Sequence, residues 1–286
     1  LNITPNGNEG AIWMSGAGLA ADESGNIYLL AGNGTFDTTL NANGFPSQGN
    51  YGNAFLKLST SGGLQVADYF EMSNQASENA NDVDLGSGGV LLLPNLLDSR
   101  GNTQQLAVGA GKDQNIYVVS RNSMGKFNPA SNNIYQEITG IFPGSAPAGL
   151  YSSPAYFNNT VYFGSVGNPI MAFGVTNAEL SATPTSQTNT SFAYPGATPG
   201  ISANGAVNGI LWAVENNNTA AVLQKAPFAF GCNKGFAAGL FTFGTSFSHM
   251  YQASVAMCPS SKTGRGRRFP LTRCRSRSWR PRNARA

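Results

Sequence analysis

The chain has 286 residues, 41% of them apolar, only 11% charged and 35 of them glycine, with a formal net charge of +3. That length holds one large all-β domain or two ordinary ones and suffices to bury a sizeable core. No apolar run approaches the ~20 residues of a bilayer-spanning helix, and the absence of cysteine from residues 1–224 excludes a disulfide framework there.

Polarity comes from Gly, Asn, Ser and Thr rather than from charge. Glycine takes positive φ freely, and Asn and Ser side chains bond the local backbone, so the bias predicts many short strands joined by turns. The predicted strands recur at roughly 45–55 residues, a period expected of propellers and solenoids. The first unit has strands at 18–22 and 27–30 around a Ser24-Gly25-Asn26 turn. An insertion at 32–52 follows, then strands at 54–58 and 64–70 around Ser61-Gly62-Gly63. The second unit has strands at 90–94, 105–109, 115–119 and 134–138. The third has 152–157, the Asn158-Asn159 turn, 160–164, 169–173 and a polar strand near 179–183. An Asn pair suits the positive φ of a two-residue hairpin turn. The fourth has 200–203, an Asn208-Gly209 turn and 210–214, then reaches 220–224 and loses the pattern.

Runs such as 27–30 and 210–214 are apolar at successive positions, which implies sheets covered on both faces. No amphipathic period of 3.6 residues extends beyond about two turns, so helices should be few. The expected fold is all-β: a partial β-propeller of four-stranded antiparallel blades, with a largely irregular C-terminal tail.

Near residue 225 the composition changes. All fourteen acidic residues lie at or before Glu215, whereas five of the seventeen basic residues precede Lys225. Residues 1–224 therefore carry a formal −9 and residues 225–286 carry +12, together with Cys232, Cys258, Cys274 and His249. The expected domains are a β-propeller fragment over 1–224, with about three blades and a broken fourth, and a basic low-complexity tail over 225–286. The chain starts at Leu1 without a charged-then-apolar leader, which reads as an internal fragment.

Asn79, Asn81, Asp82 and Asp84, followed by Gly86, form an oxygen-rich loop before a strand. Carboxylates two residues apart suit Ca²⁺, but the full loop pattern with its terminal Glu is missing. The other reading is a solvated turn in which these side chains bond local amides, and whether Asp82 and Asp84 bind calcium stays open at this level. Asp22, Asp68 and Asp113 sit at strand ends or turns, without the cleft partner that a general base needs. Trp13 and Trp212 read as packing between sheets, and Arg121 and Lys126 as channel-facing or solvated cations. His249 stands in no recognisable catalytic motif, and no cysteine pair has zinc-ligand spacing. Gly16-Ala17-Gly18 and the glycine-rich run 86–89 lack the helix and Lys of a phosphate loop. No catalytic, cofactor-binding or metal residue is assigned, and no cofactor. The 32–52 insertion, with Phe36, Phe45 and Tyr51, is the expected contact surface, because loops on rigid scaffolds carry recognition. The Arg-rich tail suits salt-sensitive nucleic-acid binding, with Phe269 and Trp279 for stacking. An acidic body without a nucleic-acid motif argues against that use.

Ser153-Pro-Ala155, Thr160-Val-Tyr-Phe-Gly164 and Ile170-Met-Ala-Phe173 resemble the blade pattern of the bacterial quinoprotein-like, or pyrroloquinoline-quinone-like repeat, β-propeller family. Gly111-Lys-Asp-Gln-Asn-Ile-Tyr-Val118 looks like that family's strand entry. The runs 6–13, 49–55 and 84–88 are similar to uncharacterised exported proteins of soil bacteria such as acidobacteria. The resemblance covers about residues 5–224. It implies an extracytoplasmic (periplasmic or secreted) location and a non-catalytic binding or scaffold module for a protein or glycan. It also admits a fragment of a quinoprotein-like oxidoreductase whose active site lies outside this chain. The calcium site, Asp base and quinone-stacking Trp of such dehydrogenases do not map onto this sequence residue by residue. An open arc of blades leaves bare terminal faces, so residues 1–224 are expected to be marginal as an isolated product.

After Leu223 the family pattern calls for an Ala-Tyr-Asp strand and a closing Gly-Lys-Val-Tyr-Val-Gly strand, where this chain reads Lys225-Ala-Pro-Phe. The Arg, Pro, Ser and Ala of residues 265–286 match GC-rich coding sequence read out of frame. Reading the encoding DNA in all three frames downstream of Leu223 is expected to restore both strands in another frame. If no frame does so, the basic segment is a genuine product.

Overall fold

The structure is a computed structural model that describes residues 1–16, 18–216 and 221–226, and the backbone of 227 and 241–242. The cysteines, His249, Phe269, Trp279 and the Arg-rich segment lie outside the described residues. Strands β1 (Ala20–Ala21), β2 (Ile27–Leu30), β3 (Phe55–Ser59) and β4 (Gln65–Glu71) form an antiparallel meander. Helix α1 (Gln75–Ala80) and a 3₁₀ turn (Leu85–Ser87) follow. Next come β5 (Leu91–Leu92), β6 (Leu96–Leu97), β7 (Thr103–Gln104), β8 (Leu106–Ala110), β9 (Ile116–Ser120), β10 (Lys126–Phe127) and β11 (Gln136–Ile138). The second sheet runs β11-β9-β8-β5; β6 and β7 pair as a separate ribbon, and β10 joins the edge of β4 in parallel. The third sheet holds β12 (Ala155–Tyr156), β13 (Thr160–Phe163), β14 (Pro169–Thr176), β15 (Glu179–Leu180) and β16 (Ser186–Ser191). The fourth holds β17 (Gly200–Asn204), β18 (Val207–Glu215), β19 (Val222–Pro227) and β20 (Phe241–Thr242). The chain is all-β, and among the described residues the two short segments at 75–80 and 85–87 are its helical content.

Two expectations about strands are corrected. The polar strand near 179–183 is the two-residue return of a hairpin whose tip, Asn177-Ala178, has positive φ. The ladder partner along β14 is instead β16, whose side chains are largely exposed because it is an edge strand. The fourth sheet reverses at Gly205-Ala206 rather than at Asn208-Gly209. Asn208 lies inside β18 and takes a φ of 56° where the register slips by one residue. By contrast, Asn158 and Asn159 both have positive φ in the turn between β12 and β13, as that pair favours. The ladder also continues past the compositional break, since Pro227 still pairs with Ile210.

Period-two alternation distributes the core among the sheets. In the second sheet Ala107, Tyr117 and Val119 face the first sheet, where Phe70 meets Tyr117 at 5.5 Å. Leu106, Val108, Ile116 and Val118 face the third, against Val161, Phe163, Met171 and Phe173. The intervening Tyr162, Ile170 and Ala172 of the third sheet pack on Leu211 and Ala213 of the fourth. Both faces of the two middle sheets are thus dry, which is why their strands read as apolar at successive positions.

The aromatic side chains of the insertion at 32–52, expected to face outward, turn onto the first sheet. Phe36, Phe45 and Tyr51 surround Tyr69 with ring centroids 5.5–6.0 Å apart, and the Tyr69 hydroxyl donates to the Gly44 carbonyl at 2.9 Å. Asp37 holds the loop in shape by accepting from the Gln48 and Asn50 amides and the Asn50 side chain. The insertion, with buried Ile3, whose carbonyl accepts from the Tyr51 amide at 2.8 Å, covers the outer face of the first sheet. The apolar face expected to be bare there is capped. On the fourth sheet Val207 and Val214 remain more than half exposed.

Adjacent sheets are joined where backbones touch. Gly164, at the end of β13, accepts from the Ala197 amide at 3.0 Å, and a Cβ at this position would lie 2.1 Å from the Ala197 carbonyl oxygen. Gly200 has nothing within 4 Å of the same hypothetical atom and does not have a positive φ. Gly164→Ala is expected to cost about 1–3 kcal/mol through overpacking, and Gly200→Ala to stay within about 0.5 kcal/mol of the parent. Chemical denaturation of both variants checks this; equal midpoints would remove the close approach as a determinant.

Candidate functional site

Most of the aspartates singled out in the sequence hold turns. The carboxylate of Asp22 accepts from the Ser24 and Asn26 amides, the Asn26 side chain and the Tyr28 hydroxyl, all within 3.2 Å. Asp98 repeats the arrangement with Arg100 and Asn102, and the Asn102 hydrogen bonds hold it down at about 2. Asp68 accepts from the Tyr69 and Met124 amides at 2.9 Å. Asp113 accepts from Asn115 and, at 2.5 Å, from the Tyr117 hydroxyl.

The basic and aromatic candidates are relocated as well. Arg121 is buried, and its backbone carbonyl accepts from Lys57. Lys126 donates to the Asn43 carbonyl and covers the Phe45 ring at 4.3 Å, so it fastens the insertion rather than facing a channel. Trp212 lies on the face of the fourth sheet turned away from the third and donates to the Ser202 hydroxyl. Trp13 is 44% exposed and fills no interface between sheets.

A group of acids is buried beside α1. Glu71 is 1% exposed, and neither carboxyl oxygen has a hydrogen-bond partner. Burial first, then the neighbouring Glu78, pushes it well above the carboxylate range. Glu78 accepts from Asn74 at 2.8 Å and Asn53 at 3.4 Å; burial and the charge of Asp113 nonetheless raise it to about 8. Asp113 keeps some exposed surface, but its carboxyl group is enclosed, and burial raises it to about 6. Among the described residues no three acidic, His or Cys side chains converge as a metal site would require. The sequence carried one signal for this group, a Glu inside the apolar run Tyr69-Phe70-Glu71-Met72.

The solvent-facing site forms where the lead-in to β1, the loop after α1 and the turn after β8 meet. Lys112 lies 2.5 Å from Asp84 and 3.0 Å from Asp82, and also donates to the Asp82 carbonyl at 2.9 Å. Asp84 is buried, and its other oxygen accepts from the Asn33 amide at 2.7 Å; the Asp82 side chain is 84% exposed and accepts from the Asn33 side chain. Asn79 turns away to accept from the Gly34 amide. The oxygen-rich loop therefore converges on an ammonium group of the same chain. Burial pulls Lys112 down, but the hydrogen bonds that it donates to Asp84 and Asp82 outweigh this and leave Lys112 above the ordinary lysine value. The same hydrogen bond from Lys112, opposed by burial, lowers Asp82.

Around this ion pair stand aromatic rings. Lys112 lies over the Trp13 ring at 5.1 Å. The Trp13 indole nitrogen sits above Gly32, where a Cβ would be 3.1 Å away. The segment leading to Tyr151 lies against the Lys112 turn, where the Leu150 amide donates to the Gly111 carbonyl at 2.9 Å, and Tyr151 meets Tyr194 edge-on at 5.2 Å. Tyr194 is 55% exposed. The result is a rim of Trp13, Lys112, Asp82, Tyr151 and Tyr194. Tyr151 and Tyr194 carry no motif and stand 43 positions apart, so no local signal groups them. Away from the rim, a groove of about 330 Å³ between β16 and the fourth sheet is lined by Thr188, Thr190, Phe192, Gln224 and Lys225.

Glu78 and Asp113 make stability depend on pH. Each is raised in the fold above the ordinary values of 4.5 and 3.8. Their contribution is therefore complete below about pH 4 and is lost as pH rises towards 6 for Asp113 and 8 for Glu78. The denaturation midpoint should fall steadily from pH 4.5 to 8, and Glu78→Gln should flatten the upper part of that fall. An unchanged slope in the variant would show that Glu78 is ionised in the fold. No helix among the described residues is long and apolar enough to cross a membrane. No family model, curated protein or solved structure matches the chain.

Proposed function

We propose that residues 1–227 form part of a β-propeller of the quinoprotein-like repeat type that serves outside the cytoplasm as a binding module, with the Trp13–Tyr194 rim as its recognition surface. The propeller reading is supported by four successive sheets packed face to face, antiparallel apart from the short β10 at the edge of the first. Their first strands lie side by side, β1 against β5 and β12 against β17. The segment before β1 also reaches across, since Ser153 donates to the Ser15 carbonyl at 3.3 Å and Gly16 packs against Thr198. Sheets radiating from shared inner edges are the arrangement of propeller blades.

The observation that carries the binding reading is the rim itself. Exposed Trp and Tyr rings beside a fixed ion pair combine apolar contact area with oriented donors and acceptors, the chemistry of recognition surfaces. The buried acids with raised pKa are the alternative starting point for catalysis, but their carboxyl groups are enclosed and out of a substrate's reach.

The full chain is passed over immobilised extracellular polymers, both polysaccharides and proteins such as casein and gelatin. Saturable retention by at least one polymer is expected. Trp13→Ala or Tyr194→Ser, both at exposed positions, should weaken it roughly tenfold to thirtyfold, the loss of one central contact. Retention unchanged in both variants places binding elsewhere. Sustained dye reduction with added pyrroloquinoline quinone and Ca²⁺ would favour a quinoprotein-like oxidoreductase instead.

A further inference from the structure

We infer that the ligand of this rim is a neutral polysaccharide, an assignment that rests on the rim being the recognition surface. Three properties of the site select this class. The first is the combination of rings with polar groups. The apolar C–H face of a sugar ring stacks on Trp or Tyr, while its hydroxyls need both donors and acceptors at close range. Trp13 and Tyr194 are 44% and 55% exposed; the Tyr194 hydroxyl can donate, and the 84% exposed Asp82 side chain, held in place by Lys112, supplies acceptors.

The second property is charge. Lys112 is held by Asp82 and Asp84 together, so the site has no spare positive charge for a polyanion. Residues 1–224 carry a formal −9, which repels acidic polymers further. Nucleic acids and uronic-acid polysaccharides are disfavoured on that ground.

The third property separates a glycan from a protein. A stable protein interface buries about 800 Å² on each partner around a dry, apolar centre. Here the centre is an ion pair with an exposed carboxylate, and desolvating it under an apolar partner costs more than the pair returns. Sugar hydroxyls replace water at the exposed Asp82 carboxylate hydrogen bond for hydrogen bond, and the rings keep their stacking partners.

Native affinity electrophoresis of the full chain tests this, with galactomannan, xyloglucan or mixed-linkage glucan in the gel as neutral polymers and alginate as the acidic one. Retardation is expected in at least one neutral gel, and any retardation in alginate is expected to be abolished by salt and unaffected by Trp13→Ala, because residues 225–286 carry a formal +12. Trp13→Ala and Tyr194→Ser, both at exposed positions, should weaken neutral-gel retardation about tenfold while leaving thermal unfolding unchanged. Retardation by alginate alone, or by no neutral polymer, overturns the assignment to neutral glycans; alginate binding that disappears in Trp13→Ala still leaves the rim as the recognition surface. Neutral-gel retardation that survives both substitutions overturns the rim reading as well.

Discussion

Everything in this molecule rests on the need to cover apolar strands on both faces. Strands such as Leu106–Ala110 and Thr160–Phe163 are buried along their whole length, so a single sheet containing them cannot stand in water. Burial of apolar area contributes roughly 25 cal/mol per Å², and that gain is available only when the sheets lie against one another. The alternation of side chains then fixes partners: Tyr117 can only face the first sheet and Val118 only the third. The same demand explains the insertion at the start of the stack. With no preceding sheet among the described residues, the outer face of the first one draws Phe36, Phe45 and Tyr51 down onto Tyr69.

Close stacking has a second consequence at the loops. Where successive sheets converge, backbones approach within contact distance, and small residues such as Gly164 are needed. Segments far apart in sequence then share one surface, and the rim arises there. Asp84 comes from the loop after α1 and Lys112 from the turn after β8, and their pairing holds the ammonium group over Trp13. Burying the Asp84 carboxylate without Lys112 would leave an unpaired charge, a cost of several kcal/mol. The pair therefore ties loop positions to the fold and presents Asp82 to solvent in a fixed place.

The buried acids show how the stack handles polar groups it cannot expose. Glu78 and Asp113 are surrounded by amide and hydroxyl donors from Asn53, Asn74, Asn115 and Tyr117, whereas Glu71 has none. Burial raises all three above the ordinary carboxylate range, Asp113 only to about 6, because a neutral acid costs far less to bury than an anion. Asn, so abundant in the composition, is the usual partner in these arrangements and in the turns held by Asp22 and Asp98.

The sequence alone determined the all-β class, most strand positions and the Asn158-Asn159 turn, because alternation, apolar runs and positive-φ residues are local signals. It did not determine strand pairing where two local solutions compete. Residues 179–180 look like a ladder strand but close a hairpin, and Asn208-Gly209 looks like a turn but sits in a bulged strand. Nor did it determine which aromatic residues are outside. Phe36 and Phe45 read as exposed loop residues, and Trp13 as packing between sheets; the stack reverses both assignments, since only the tertiary structure decides which sheet face lacks a neighbour. Asp82 and Asp84 read as possible ion ligands because spacing shows acceptors and not the cation they meet. Lys112 arrives from another sheet, and Tyr151 and Tyr194 from two more loops, so the rim exists only once long-range packing has brought them together.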